Sequence, residues 1–229
     1  MPFSNFMKVT LTPRLKICCI ASVEEAALAV GAGASALGLV SHMPSGPGVI
    51  SDEQIAEIAA TVAPAIGTFL LTSRQSVEEI VAQQRFCRTN TIQICDRLTH
   101  GTHRELKRAL PGISIVQVIH VTGPESVEEA AAVAPQVDAI LLDSGNQKSA
   151  VKELGGTGRT HDWTLSREIR ERVRIPIFLA GGLTPENVGQ AIREVGPFGL
   201  DVCSGVRTEG KLDGQKLTRF FHAVGKSSQ

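Results

Sequence analysis

No block of like charge, no long apolar run and no paired-cysteine motif marks this chain. Its 229 residues balance 23 Lys and Arg against 23 Asp and Glu. That leaves no electrostatic footprint for nucleic acid or an anionic membrane. No apolar run approaches the ~20 residues that span a bilayer. The opening "MPFSNFMKVTLTPR" lacks the charged start and apolar core of a secretory signal. The five cysteines (18, 19, 87, 95 and 203) are odd in number and none are spaced as C-x-x-C. A reduced, cytoplasmic setting fits them better than a disulfide framework. His100 and His103 have no third ligand at a usual spacing, so no metal site is expected.

What is present is a rhythm. The chain is 42% hydrophobic, ample for a core, and its length suits one large α/β domain or two small ones. Short runs rich in Ile, Val and Leu recur at 14–20, 36–42, 65–72, 91–95, 114–121, 139–143, 175–180 and 199–203. Continuous apolar runs of this length suit strands covered on both faces. Between them, apolar residues repeat at helical steps: Val23, Ala26, Ala27 and Val30, then Ile55, Ile58, Ala59 and Val62. The same spacing holds for Val127, Ala130, Ala131 and Ala134, for Val188, Ala191, Ile192 and Val195, and for Leu217, Phe220, Phe221 and Val224. "SVEE" at Ser22, Ser76 and Ser126 and "SDEQ" at Ser51 read as capping boxes. "TPEN" at Thr184 adds a proline suited to a first helical position.

Strand and helix alternate eight times, with short links and no shift in composition, which predicts a single (β/α)8 TIM barrel. A doubly wound sheet ranks second, because the first strand–helix turn has no G-x-G-x-x-G. The expected division is a tail over 1–13 and a barrel domain over 14–229. The tail, with Phe3 and Phe6, has no assigned partner, and a homodimer stays open.

In such a barrel the active site forms where strands end and βα loops begin. Those positions hold Cys18 and Cys19, "QICD" at 93–96, Asp143, "GGTG" at 155–158, "LAGGL" at 179–183 and "DVCSGV" at 201–206. Glycines admit a ligand close to the backbone, and amides at helix starts favour anions. Loops 7 and 8 are the frequent phosphate site of these barrels, so a phosphorylated ligand is expected there. Asp143 ends an apolar strand, where an ionised carboxylate is costly to desolvate. It is either a structural acid bound to backbone amides or a general acid, and its position favours the second. Cys18 is either a small buried hydrophobe or a reactive thiolate in an open site. Because neighbouring strand residues face opposite ways, only one of Cys18 and Cys19 is expected to face the barrel mouth, and Cys18 is the choice.

Taken together, "KIC" (16–18), "ALGLV" (36–40), "GGTGRTHDW" (155–163), "LAGGLTPENV" (179–188) and "DVCSGV" (201–206) resemble the phosphoribosylanthranilate isomerase family over nearly the whole chain. The resemblance implies an Amadori-type aldose–ketose isomerase of tryptophan biosynthesis that acts on a small sugar phosphate without metal or organic cofactor. It implies Cys18 as general base and Asp143 as general acid. It maps the phosphate site onto Gly181, Gly182, Ser204 and Gly205, with loop-6 glycines, Gly156 among them, near the substrate. Four positions depart from the family pattern. Cys19 stands for the glycine of "KICG", Gly48 for the arginine that binds the anthranilate carboxylate, Cys95 for the histidine of "QLHG", and Arg207 for the glutamate after "SGV". Losing a charge-assisted contact costs affinity, and Arg207, Arg97 and Arg159 are the candidate replacement cations. The alternatives are an isomerase for another N-phosphoribosyl amine and a barrel that binds a phosphorylated ligand without turning it over.

Overall fold

The computed structural model describes residues 12–145, 153–156, 158 and 160–227. The expected tail therefore lies outside the described residues, apart from Thr12 and Pro13. Strands β1 (Arg14–Ile17), β2 (Ala36–Val40), β3 (Gly67–Thr72), β4 (Thr91–Ile94), β5 (Ser114–His120), β6 (Ala139–Asp143), β7 (Ile177–Leu179) and β8 (Gly199–Val202) close into one parallel barrel in chain order. Helices α1 (Val23–Gly31), α2 (Asp52–Thr61), α3 (Val77–Cys87), α4 (His103–Ala109), α5 (Glu125–Val133), α6 (Trp163–Arg172), α7 (Val188–Val195) and α8 (Gly214–Ser227) follow the strands in turn. Between β8 and α8 runs a small antiparallel pair, β9 (Arg207–Thr208) and β10 (Lys211–Leu212). All eight expected strands exist, trimmed at most by a few residues.

The period of two in each strand sorts side chains between two cores. Leu15, Ile17, Leu37, Leu39, Ile92, Ile94, Ile140, Leu142, Leu200 and Val202 face outward and pack with the buried helix stripes of Ile55 and Ile58, Val188 and Ala191, and Leu217 and Phe220. Phe69, Leu71, Val116, Val118, Ala139, Leu141 and Phe178 fill the interior. Phe178 meets Phe69 and Phe198 edge-on, with ring centroids 5.9 and 5.5 Å apart. Polar residues concentrate where this interior nears the strands' C-terminal ends.

The helix starts differ from expectation in detail. Ser22 caps α1 and Ser51 forms the full capping box of α2. Ser76 makes no side-chain cap bond, and Ser126 lies inside α5, bridging the Thr122 amide and the His120 carbonyl. "TPEN" is a turn rather than a first helical residue. Asn187 accepts from the Thr184 amide, and α7 starts only at Val188. A capping box at Thr102 and Glu105 was not read from the sequence.

Candidate active site

A pocket opens at the C-terminal ends of the strands. Its lining includes Cys18, Cys19, Gln93, Cys95, Asp143, Gly155, Gly156, Gly158, Gly181, Gly182, Asp201, Cys203 and Ser204. Of the expected site residues, only Gly205 lies off this wall. A Cβ there would fall 2.0 Å from the Leu183 carbonyl oxygen, so Gly205 lets loops 7 and 8 pack together behind the wall.

Cys18 continues the inward face of β1, two residues beyond Lys16, and its amide still bonds the Val202 carbonyl at 2.8 Å. Cys19 then turns into the left-handed region at φ 62°, which non-glycine residues seldom adopt. That turn overrides the strand alternation, and both cysteines line the pocket. The expectation that only one would do so fails because β1 has already ended at Ile17. Arg207 holds the turn. Its guanidinium donates to the carbonyls of Cys18 and Cys19 and pairs with Glu25 at 2.9 and 3.0 Å. Glu25 in turn accepts the amides of Ala21 and Leu212. Burial works to raise the Glu25 carboxyl, but Arg207 and the two amides outweigh it and hold it below its ordinary value.

Beneath Cys18 lies a buried charge pair. Register places Lys16 beside Asp201, and Nζ donates to Oδ2 at 2.8 Å with Lys16 fully buried. The ammonium also stands 5.2 Å from the Phe69 ring centroid. Burial alone would lower the proton affinity of Lys16; Asp201 and then Cys18 more than reverse that. Burial and the Asp143 charge push Asp201 upward while Lys16 opposes them. The short contact and the raised lysine both describe an ammonium–carboxylate pair. Gly38 makes room for it, since a Cβ there would lie 2.9 Å from Cys18 Sγ and 3.0 Å from Lys16 Nζ. Two buried acceptors on residues that line the pocket, Asp201 Oδ1 and Gln93 Oε1, have no partner among the described residues. Unpaired buried acceptors are costly, and a ligand hydroxyl or amine would satisfy them.

Asp143 ends β6 and is buried, with Oδ1 accepting from the Ser144 amide at 2.7 Å. Its other oxygen, Oδ2, lies 2.7 Å from where a Gly155 Cβ would stand, so loop 6 reaches the carboxylate only with glycine there. A Cβ on Gly156 would lie 2.6 Å from Pro47 Cδ, which brings loops 2 and 6 together at the mouth. Gly181 and Gly182 have positive φ of 87° and 60°. Asn187 accepts from the Thr184 amide and donates to the Gly182 carbonyl, fixing this turn. Ser204 opens a short 3-10 turn on the facing loop. Backbone amides at such turns form an anion-binding concavity.

The family described as N-(5'-phosphoribosyl)anthranilate (PRA) isomerase matches residues 15–223. The chain belongs to that family. An N-(5'-phosphoribosyl)anthranilate isomerase 2 of Methanosarcina mazei is 36% identical over 211 residues, covering 91% of this chain and 92% of the relative. The phosphoribosyl anthranilate isomerase of Thermotoga maritima superposes with a TM-score of 0.78 at 30% identity, covering 93% of this chain and 99% of that one. A solved PRA isomerase complexed with reduced 1-(o-carboxyphenylamino)-1-deoxyribulose 5-phosphate gives a TM-score of 0.75 at 29% identity, with the same coverage.

Within the PRA isomerase frame, two departures touch each other. A Cβ on Gly48 would lie 2.4 Å from Cys19 Cβ and 3.0 Å from its Cα, and Gly48 has φ 77°. An arginine cannot occupy position 48 while Cys19 keeps its place. Cys95 is buried, and its thiol sits 3.7 Å from the Gln93 amide and carbonyl. Burial first, then the Cys18 charge, pushes that thiol far up. Arg207 is engaged with Glu25, Arg97 pairs with Glu129 on the surface, and Arg159 lies outside the described residues. Among the described residues, none of the pocket's lining side chains is cationic. His103 bonds Gln117 and His100 bonds Thr99, so the two sit in separate contacts.

Sequence reasoning missed Lys16, Gln93 and Asp201 as site residues, and Gly38 as the position that admits them. Each had a signal. A lysine, a glutamine and an aspartate interrupt otherwise apolar strands, and a strand-interior glycine marks close approach.

Proposed function

We propose that this chain converts N-(5'-phosphoribosyl)anthranilate to 1-(2-carboxyphenylamino)-1-deoxyribulose 5-phosphate, with Asp143 as general acid and Cys18 as general base. The observation that carries this reading is the meeting of Cys18, Asp143 and the glycine-rich loops 7 and 8 in one pocket of a PRA isomerase barrel. Asp143 protonates the furanose ring oxygen, and the C1–O bond opens as the amine lone pair forms an iminium. The Cys18 thiolate removes the C2 proton to give an enamine. Protonation at C1 and loss of the O2 proton leave the ketose, with no net change in atoms. Lys16 Nζ and Cys18 Sγ flank the same small space left by Gly38, which places the ammonium beside the proposed base. Gly181, Gly182, Ser204 and Gly156 receive the phosphate end, with Gly205 setting the loop that carries Ser204. Asp201 and Gln93 accept from sugar hydroxyls. The reading includes a cytoplasmic setting. It also includes a homodimer, in line with the T. maritima relative described as dimeric.

Turnover of N-(5'-phosphoribosyl)anthranilate followed by fluorescence tests the proposal, together with rescue of a tryptophan auxotroph lacking this isomerase. Near-normal turnover in Cys18→Ala would refute the base assignment. One observation supports a second reading, in which the same chemistry acts on another N-phosphoribosyl amine. Gly48 stands at the family's arginine position, and Cys19 fills the space that side chain needs. Competition between substrates differing only in the aglycone carboxylate separates the two.

A further inference from the structure

Two cysteines 184 positions apart in sequence, Cys19 after β1 and Cys203 after β8, bring their sulfurs to 2.7 Å on the pocket wall. That is only about 0.7 Å beyond a disulfide bond length, and all five cysteines are free thiols here. Neither cysteine has a part in the proposed isomerisation. Barrel closure produces the contact, since β1 and β8 pair in register up to Ile17 and Val202.

The pair is asymmetric in access and in proton affinity. Cys203 is half-buried, whereas Cys19 is buried and lies 3.7 Å from the Pro47 carbonyl. The Cys19 hydrogen bond first, and the Arg207 charge after it, hold the Cys203 thiol below its ordinary value against the opposing effect of burial and Asp201. Hydrogen bonds with Cys18 and Cys203, together with burial, hold Cys19 well above its own. A half-buried thiol held below its ordinary value, in contact with a shielded thiol held above its own, is the arrangement of an attacking and a resolving cysteine.

We propose that Cys203 and Cys19 form a thiol–disulfide exchange site for a small-molecule disulfide of the glutathione class. The Cys203 thiolate attacks one sulfur of oxidised glutathione. The reagent's S–S bond breaks, one glutathione leaves as thiolate and takes up a proton, and a mixed disulfide forms on Cys203. Cys19 then gives up its proton, attacks Cys203 Sγ and expels the second glutathione. Two protein thiols are oxidised to one disulfide while one small disulfide is reduced to two thiols. In a reducing cytoplasm the site stays open, and an oxidising shift closes it between the residues that adjoin Cys18 and Ser204.

The test treats the full-length protein with oxidised glutathione, traps free thiols by alkylation and maps the products by mass spectrometry. Wild type should show a Cys19–Cys203 cross-link without retained glutathione, reversed by dithiothreitol. Cys19→Gly, which suits the left-handed backbone, should stop at a glutathione adduct on Cys203. Cys203→Ser should leave Cys19 unmodified. Before oxidation, Cys203 should alkylate at least about tenfold faster than Cys87, whose thiol burial pushes up to about 12. Cys18→Ala should keep the cross-link, so the exchange site stands or falls apart from the isomerase reading. A bridge from Cys18 to Cys19, a glutathione adduct persisting on wild-type Cys203, or no reaction at either position would overturn the proposal.

Discussion

The two sides of the pocket obey different rules. On the side built by β6, β7 and β8, each candidate residue comes from a strand-end motif legible in sequence: Asp143, the Gly181–Gly182 turn and Ser204. On the side built by β1, β2 and β4, the chain departs from its family at Cys19, Gly48 and Cys95, and two of those departures are in contact. The first side is a set of separate positions, each suited to the chemistry of a sugar phosphate. The second is a packed unit in which one residue's identity depends on another's. Substitutions on the first side should therefore read out singly, and those on the second only in combination.

The largest expected effect tests the reacting pair, Asp143 on the first side and Cys18 just past β1. Cys18→Ala and Asp143→Asn should each lower kcat by about 10²–10⁴, the usual worth of a general acid or base. Ser204→Ala should mainly raise KM. Equal falls in kcat for all three would erase the distinction between chemistry and phosphate binding.

Next comes the floor that both sides share. Lys16→Met leaves the buried Asp201 carboxylate unpaired and should cost about 3–5 kcal/mol, measured by denaturant unfolding. Lys16→Met with Asp201→Asn should recover part of that loss, because no buried charge then lacks its partner.

The second side is tested by a cycle. Gly48→Arg alone should destabilise the protein, since the new Cβ meets Cys19 Cβ at 2.4 Å on a backbone with φ 77°. Paired with Cys19→Gly, which removes the clash with Cβ but not the backbone strain, the same arginine should cost less, with a coupling of about 1–3 kcal/mol. The double variant should also lower KM for the anthranilate substrate. Additive effects would mean that the two positions are independent.

The smallest effect concerns the anchor of the Cys18–Cys19 turn. The Glu25 carboxyl is held below its ordinary 4.5 by Arg207 and two amides, against burial. Its contribution is fully present above about pH 4.5 and is lost as pH falls through the lower folded value. Glu25→Gln should lower Tm at neutral pH, by about 1–3 kcal/mol in stability. It should also flatten the fall of Tm with acid relative to wild type.

The barrel was legible because its signal is local and repeated. Eight apolar runs alternate with helical stripes, and each falls on an observed strand or helix. The candidate acid, base and phosphate loops were legible for the same reason, since position at a strand end is a property of the chain. Arg207, one of three candidate cations for the carboxylate, is instead engaged with Glu25. Its partner Glu25 is 182 residues away, and nothing near either residue announces the pair.

By itself, then, the sequence determined the architecture and the list of strand-end residues, through periods of two and three to four that need only neighbouring residues. Tertiary structure alone decided which of those residues touch. Closing the sheet joins the first strand to the last, and that one pairing sets Lys16 against Asp201, Cys19 against Cys203 and Arg207 against the Cys18–Cys19 turn. It also decided that both cysteines face the pocket. The direction of a side chain just past a strand depends on the backbone angle at that residue, and at Cys19 that angle is left-handed, with Arg207 bonded to the turn's carbonyls.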